Sequence, residues 1–245
     1  MKILGSTLFQ KFPEIRFGFS TREGGVSPQP FGLNLSFSVG DDRTNVIRNR
    51  DLFFGRMRVS WEEVAIPGQC HSTTVLRADR GGNYESSDGL VADRIGVFPV
   101  VSVADCVPLF LFDPERRAVA AVHVGWRGAA GGIVSSAVER MAQEFSTDPG
   151  DLVCYLGPSA GACCYEVGQD VGRLFASRFL RSAGGGKSLL DLPSFVREAL
   201  REERVESRKI ELSGCCTICN PELFHSYRRE GKRSGRMMGI IGLAL

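Results

Sequence analysis

The chain has 245 residues, 43% apolar and 24% charged, the mix of an ordinary globular protein with enough length to bury a core. A formal net charge of +2 gives no electrostatic footprint for nucleic acid. No run approaches the roughly 18 apolar residues of a membrane-spanning helix, and the start, MKILGSTLFQKFPEIRF, has too short an apolar stretch for a secretory signal; the expectation is a cytoplasmic protein with neither nucleic-acid nor membrane partners.

The first predicted strand is IRFGFS (15–20), followed by a Gly- and Pro-rich loop over 22–34 and a second strand, LSFSV (35–39). A helix is expected over 44–57 behind the capping acids of DD, and SWEEV (60–64) carries a capping-box pattern. Apolar, β-branched runs then predict strands at 89–93, 98–104, 107–113 and 118–124, the last two flanking PERR as a hairpin. The next helix is expected over 128–145, with Ile133, Val134, Ala137, Val138 and Met141 on one face. A strand at 151–157, amphipathic helices at 165–180 and 190–204 around a loop SAGGGKS (182–188), and a final strand at 237–245 complete the set. The basic run SYRREGKRSGR (226–236) reads as a solvated turn. No shift in composition divides the chain, so residues 1–245 are expected to form one domain of the α+β class, a layered mixed sandwich.

The chemistry gathers around AVHVGWRGAAGG. His123 ends an apolar strand, and Gly125, Trp126, Arg127 and Gly128 turn the chain into a helix start. Free N–H groups there, close approach over glycine and a neighbouring guanidinium suit an anion beside an imidazole; a tight turn with a core histidine reads equally well. Cys106 follows an acid between two apolar runs, either a small hydrophobe or a break made for function. His71 lies in the polar turn PGQCHSTTV. Two imidazoles and a thiolate are a three-ligand set for zinc with an open position, although spacing this wide does not select them. Among the eight cysteines, CCTIC (215–219) contains a C-x-x-C, but its natural complement, Cys163-Cys164, is an adjacent pair whose side chains are expected to diverge, so a four-cysteine zinc knot fits poorly.

Near end-to-end motifs tie these pieces together: FSTREGGVSPQPFGLNLSFSVGDD, NR at 49–50, QCH at 69–71, DGLVAD, ADCVPLFLFDP, AVHVGWRGAAGGI, LGPSAGACCYEVG and SYRREGKRSGRMMGII. In these the chain resembles the laccase-domain family, described as purine nucleoside phosphorylases and formerly as bacterial polyphenol oxidases. The resemblance implies one zinc per chain on His71, Cys106 and His123, substrate-side roles for Arg50 and Arg127, and a sandwich fold akin to the cysteine-dependent toxin deamidases. It also implies a purine nucleoside and phosphate as small-molecule partners, with adenosine deamination as a second activity. Copper is the less favoured metal: a multicopper cluster needs many histidines, commonly as His-x-His, and this chain has three in all. A metal-free hydrolase using Cys106 and His123 is the other alternative. The chain departs from the family pattern at Cys70, at Cys215 and Cys219, and at His225, which is left out of the site.

Overall fold

The computed structural model describes residues 1–244. Its strands are β1 (Ile3–Leu4), β2 (Ile15–Ser20), β3 (Val64–Pro67), β4 (Val75–Arg77), β5 (Gly82–Tyr84), β6 (Gly89–Ala92), β7 (Phe98–Val103), β8 (Val107–Asp113), β9 (Ala118–Val124), β10 (Val153–Leu156), β11 (Glu166–Val167), β12 (Leu180–Gly184), β13 (Lys187–Leu190), β14 (Ile210–Leu212) and β15 (Met237–Leu243). The helices are α1 (Arg43–Met57), α2 (Trp126–Ala130), α3 (Ile133–Phe145), α4 (Gln169–Gly172), α5 (Leu192–Glu202) and α6 (Tyr227–Glu230). Two six-stranded mixed sheets, ordered β1-β2-β15-β7-β3-β5 and β14-β10-β8-β9-β6-β4, carry the architecture, beside a small sheet β11-β13-β12.

Side-chain alternation shows why the central strands read as unbroken apolar runs. Along β8, Phe110 and Phe112 face the space between the two sheets, while Leu109 and Leu111 face the far side, where Ile133, Val134, Ala137, Val138 and Met141 of α3 cover them. Along β15, Met237 and Ile241 point between the sheets, and Met238 and Ile240 point outward onto Phe53, Phe54 and Met57 of α1. Both faces of each sheet are therefore buried, giving four layers: helix, sheet, sheet, helix. Burial of each Phe or Leu in these layers contributes about 1.5–3 kcal/mol. Gly239 lets the sheets approach: a Cβ there would come within 2.2 Å of Phe110 Cζ.

The expected strands at 15–20, 107–113 and 118–124 and the hairpin between the last two are present, as is a mixed α/β architecture. The expected strand at 35–39 is a loop instead. Asn34 captures the local backbone, accepting from Ser36 N–H and donating to its carbonyl, while Leu33 and Leu35 still reach the core. The expected helix over 165–180 shrinks to α4, with Glu166 and Val167 drawn into β11. The expected loop at 182–188 is a hairpin whose turn residues Gly185 and Gly186 both have positive φ, the backbone that a two-residue turn of this hand requires. The helix over 128–145 is broken at Gly131-Gly132, where Gly132 takes φ +90°. Residue 245 of the expected last strand lies outside the described residues. No helix among the described residues is long and apolar enough to cross a membrane.

Candidate metal centre and active site

Sheet register assembles this site. β8 and β9 pair antiparallel with Val107 opposite Val124 and Pro108 opposite His123, which sets Cys106, just before β8, beside the exit of β9. β6 pairs with β9 so that Gly89 faces Val122, and His123 N–H donates to the Asp88 carbonyl at 2.7 Å. β4 runs parallel to β6, with Val75 opposite Gly89, carrying the 69–74 turn alongside Asp88. As a result the ligand atoms of His71, Cys106 and His123 all lie within 4.8 Å of one another. The two imidazoles meet edge to face, 5.0 Å between centroids.

Asp88 is the organising residue, and the sequence reading gave it no role. Fully buried, it accepts the backbone N–H groups of Cys70, His71 and Ser72, the Ser72 hydroxyl, and His123 Nδ1 at 2.8 Å. Burial opposes its charge, yet these donors, His123 foremost, hold its carboxyl well below the usual carboxylate range. With Nδ1 committed to Asp88, His123 presents Nε2 toward Cys106. Burial works against charge on both Cys106 and His123, but each stabilises the charge of the other, lowering the Cys106 thiol to about 6 and raising His123 to about 9. An acid directly before the wholly apolar strand GLVA was the available signal: a buried carboxylate needs partners of this kind.

Backbone strain concentrates here. Gln69, His71 and Asp105 adopt φ of +54°, +63° and +91°, a region that non-glycine residues enter at a cost of about 1–3 kcal/mol each. The Gln69 side chain braces its turn by exchanging two hydrogen bonds with the Ser102 backbone. Asp105 is clamped by Thr217 Oγ1 at 2.6 Å and Arg228 N–H at 2.7 Å. Gly125 leaves space for the ligands, since a Cβ there would lie 3.0 Å from His71 Cδ2 and 3.3 Å from Cys106 Sγ.

The two arginines expected on the substrate side sit differently. Arg127 is exposed on α2 and stacks over Trp126, its guanidinium 4.2 Å from the ring centroid. Arg50 is buried on α1, donates from Nε to the Leu35 carbonyl, and stacks over Phe37 at 4.4 Å. Its surroundings, with Arg43 nearby, lower its pKa to about 10 by desolvation and repulsion. Neither hydrogen-bonds to His71, Cys106 or His123. A third arginine, Arg236, was missed. Half-buried at the mouth of β15, it lies within electrostatic reach of Cys106 and Asp105, and its backbone joins the 34–35 segment through Asn34 and Leu35. A charge immediately before the apolar run MMGIIG marked it in the sequence.

Four other sulfurs, of Cys163, Cys164, Cys216 and Cys219, also lie within 4.8 Å of one another. The expected divergence of Cys163 and Cys164 is not observed: they sit on a tight turn that aims both at Cys219, at 3.4 and 3.2 Å. His225 lies apart from both groups, buried beside Glu230 with neither ring nitrogen hydrogen-bonded.

The family model of the multi-copper polyphenol oxidoreductase laccases matches residues 16–244. The chain belongs to this family. It is 32% identical to the purine nucleoside phosphorylase YlmD of Bacillus subtilis, over 96% of this chain and 90% of that protein. It is 35% identical to a purine nucleoside phosphorylase of Deinococcus radiodurans, over 92% and 88%. The crystal structure of YlmD from Geobacillus stearothermophilus superposes with a TM-score of 0.92 at 32% identity, covering 98% of this chain and 95% of that one. A Bacillus licheniformis protein, YfiH, gives 0.91 at 30% identity, covering 96% and 94%.

Proposed function

We propose that this chain is a zinc-dependent purine nucleoside phosphorylase, cleaving the N-glycosidic bond of adenosine, inosine, guanosine or methylthioadenosine with phosphate and deaminating adenosine as a side activity. The observation that carries this reading is the convergence of His71, Cys106 and His123, with Asp88 fixing the second imidazole, in a chain whose relatives bear the phosphorylase name. An N₂S donor set with a carboxylate behind one histidine suits a catalytic zinc site, which takes three protein ligands of such types, and Gly125 keeps its flank clear. Zinc bound there supplies a Lewis acid that activates phosphate or water as nucleophile.

This chain's own groups do the rest. Asp88 holds His123 in the tautomer that leaves Nε2 free, and the Asp105 clamp fixes the strained turn that delivers Cys106. The Gly125–Gly128 turn and Arg127 form the phosphate side, where an exposed guanidinium offers a paired donor. Arg50 acts from the nucleoside side by holding the Leu35–Phe37 segment, which presents the Phe37 ring to solvent for stacking on a base. The test is a phosphate-dependent assay of base and ribose 1-phosphate release, run beside metal analysis. The expected result is about one zinc at this site and phosphorolysis that disappears in His71→Ala; full phosphorolysis in a folded His71→Ala protein would sink the reading.

The Cys106–His123–Asp88 relay also favours a second reading, a metal-free thiol hydrolase of the kind that a fold akin to the toxin deamidases would imply. Activity that survives complete removal of metal would select it. A copper oxidase cluster is disfavoured by the donors: two of the three histidines converge, and the third, His225, is buried elsewhere.

A further inference from the structure

We infer that Cys163, Cys164, Cys216 and Cys219 form a second, structural metal site, a zinc tetrathiolate that staples two loops behind the candidate active site. Nothing in the proposed reaction uses these residues. A tetrahedral zinc with Zn–S bonds of about 2.3 Å separates its sulfurs by about 3.8 Å. Here Cys219 Sγ stands 3.4 Å from Cys163 Sγ and 3.2 Å from Cys164 Sγ, and all four sulfurs fall within 4.8 Å. Such a set needs only small adjustments to surround one ion. A tetrahedral all-sulfur set selects zinc or iron over harder cations.

A second, independent observation is the backbone around Cys216. Gly161 N–H, from the opposite loop, donates to its sulfur at 3.3 Å. An amide donor of this kind is the outer support that a metal-bound thiolate uses to spread its charge. Gly161 leaves room for that packing: a Cβ there would lie 3.3 Å from Cys216 Cβ and 3.4 Å from Cys163 Sγ. Both loops are otherwise irregular. One is a turn at 161–164 and the other a turn at 216–219, joined by a lone bridge between Ser159 and Cys216.

The staple has a consequence for the neighbouring site. Thr217, inside the C-x-x-C turn, donates to Asp105 Oδ1, and Ala160, on the other loop, donates its N–H to the Asp105 carbonyl at 2.8 Å. Asp105 precedes Cys106 and has the most positive φ, +91°, of the non-glycine residues at this site. Tying the two loops together therefore holds Asp105, and through it the entry of Cys106 into β8. The four cysteines act as positioning residues, with no contact to the His71–His123 pair required.

The experiment compares metal content in the full-length wild-type protein, Cys106→Ser, and the double variant Cys163→Ser/Cys219→Ser, each purified under reducing conditions. The expected zinc content is about two per chain in the wild type and about one in each variant. Cobalt(II) substitution should give the intense visible bands of a tetrathiolate centre in wild type and Cys106→Ser but not in the double variant. A Cys219→His variant, which keeps a ligand, should recover the second equivalent even if the serine protein folds poorly. Failure of the active-site zinc reading would show separately, as a Cys106→Ser protein with unchanged metal content. The tetrathiolate is overturned if the double variant binds as much metal as wild type. Rapid alkylation that reveals a Cys163–Cys219 or Cys164–Cys219 disulfide in the freshly isolated protein would also overturn it.

Discussion

Two groups of metal-type ligands occupy this molecule, and they are built on different principles. His71, Cys106 and His123 are delivered by the ends of paired strands, and a fully buried carboxylate, Asp88, ties the 70–72 turn to His123. The four-cysteine group is delivered by two turns, and a backbone amide, Gly161 N–H, donates to one of its sulfurs. Three ligands of mixed type would leave a coordination position for chemistry, whereas four of one type would close the shell. A cleft of about 260 Å³ lined by Cys163, Cys215 and Cys216 lies on the second side and includes none of His71, Cys106 and His123 in its lining.

The largest effect expected from breaking this contrast is in Cys106→Ala. Phosphorolysis should fall by more than the roughly 10–100-fold that partners outside the ligand shell are worth, while the cobalt signature of the cysteine cluster persists. Steady-state kinetics and visible spectra of one preparation check both halves. Activity retained in a folded Cys106→Ala protein would erase the distinction between a reactive and a structural site.

Asp88→Asn comes next, with a loss of about 10–100-fold in kcat/KM, because the asparagine cannot serve all the donors that converge on the carboxylate. It should also cost about 1.5–3 kcal/mol of stability at neutral pH, in the range of charge-assisted hydrogen bonds. The sign with pH follows from the depressed folded-state value. The Asp88 contribution is fully present above the unfolded carboxyl value of about 4 and is lost as pH falls below it. Urea titrations of metal-depleted wild type and Asp88→Asn should therefore converge as the pH is lowered, and a gap that widened in acid would contradict the assignment.

Arg127→Ala should raise the KM for phosphate by roughly tenfold or more, the equivalent of losing one charge-assisted contact of about 1.5–3 kcal/mol. Phosphate-independent deamination should suffer much less. Equal losses in the two reactions would place Arg127 in the scaffold rather than on the phosphate side.

The smallest effect tests communication between the two groups. Thr217→Val removes the hydroxyl that donates to Asp105 but leaves all four cysteines in place. A stability loss of about 1 kcal/mol and a several-fold fall in kcat with unchanged metal content are expected. If kcat does not move, the cysteine turn supports only itself.

Much of this could be read from the sequence. Unbroken apolar runs marked β7, β8, β9 and β15, and PERR marked the β8–β9 hairpin, because strands buried on both faces need no polar alternation. His71, Cys106 and His123 were nameable as a zinc set through the family motifs, and the Asp-Cys and Gly-Trp-Arg breaks showed where the strands give way to turns. What only the tertiary structure decided is what depends on register and on distant chain. Asp88 joins His123 because β6 pairs with β9, a relation between residues 35 apart that local pattern does not encode. The 35–39 segment is a loop because Asn34 and Arg236 take up the backbone groups at its start. Arg50 and Arg127 could be named from motifs, but only packing put one beneath Phe37 and the other on an exposed turn. Cys163 and Cys164 looked divergent as neighbours in sequence. A tight turn rotates both toward a partner more than fifty residues away, with Cys219 55 positions beyond Cys164, and that convergence is a property of the folded chain alone.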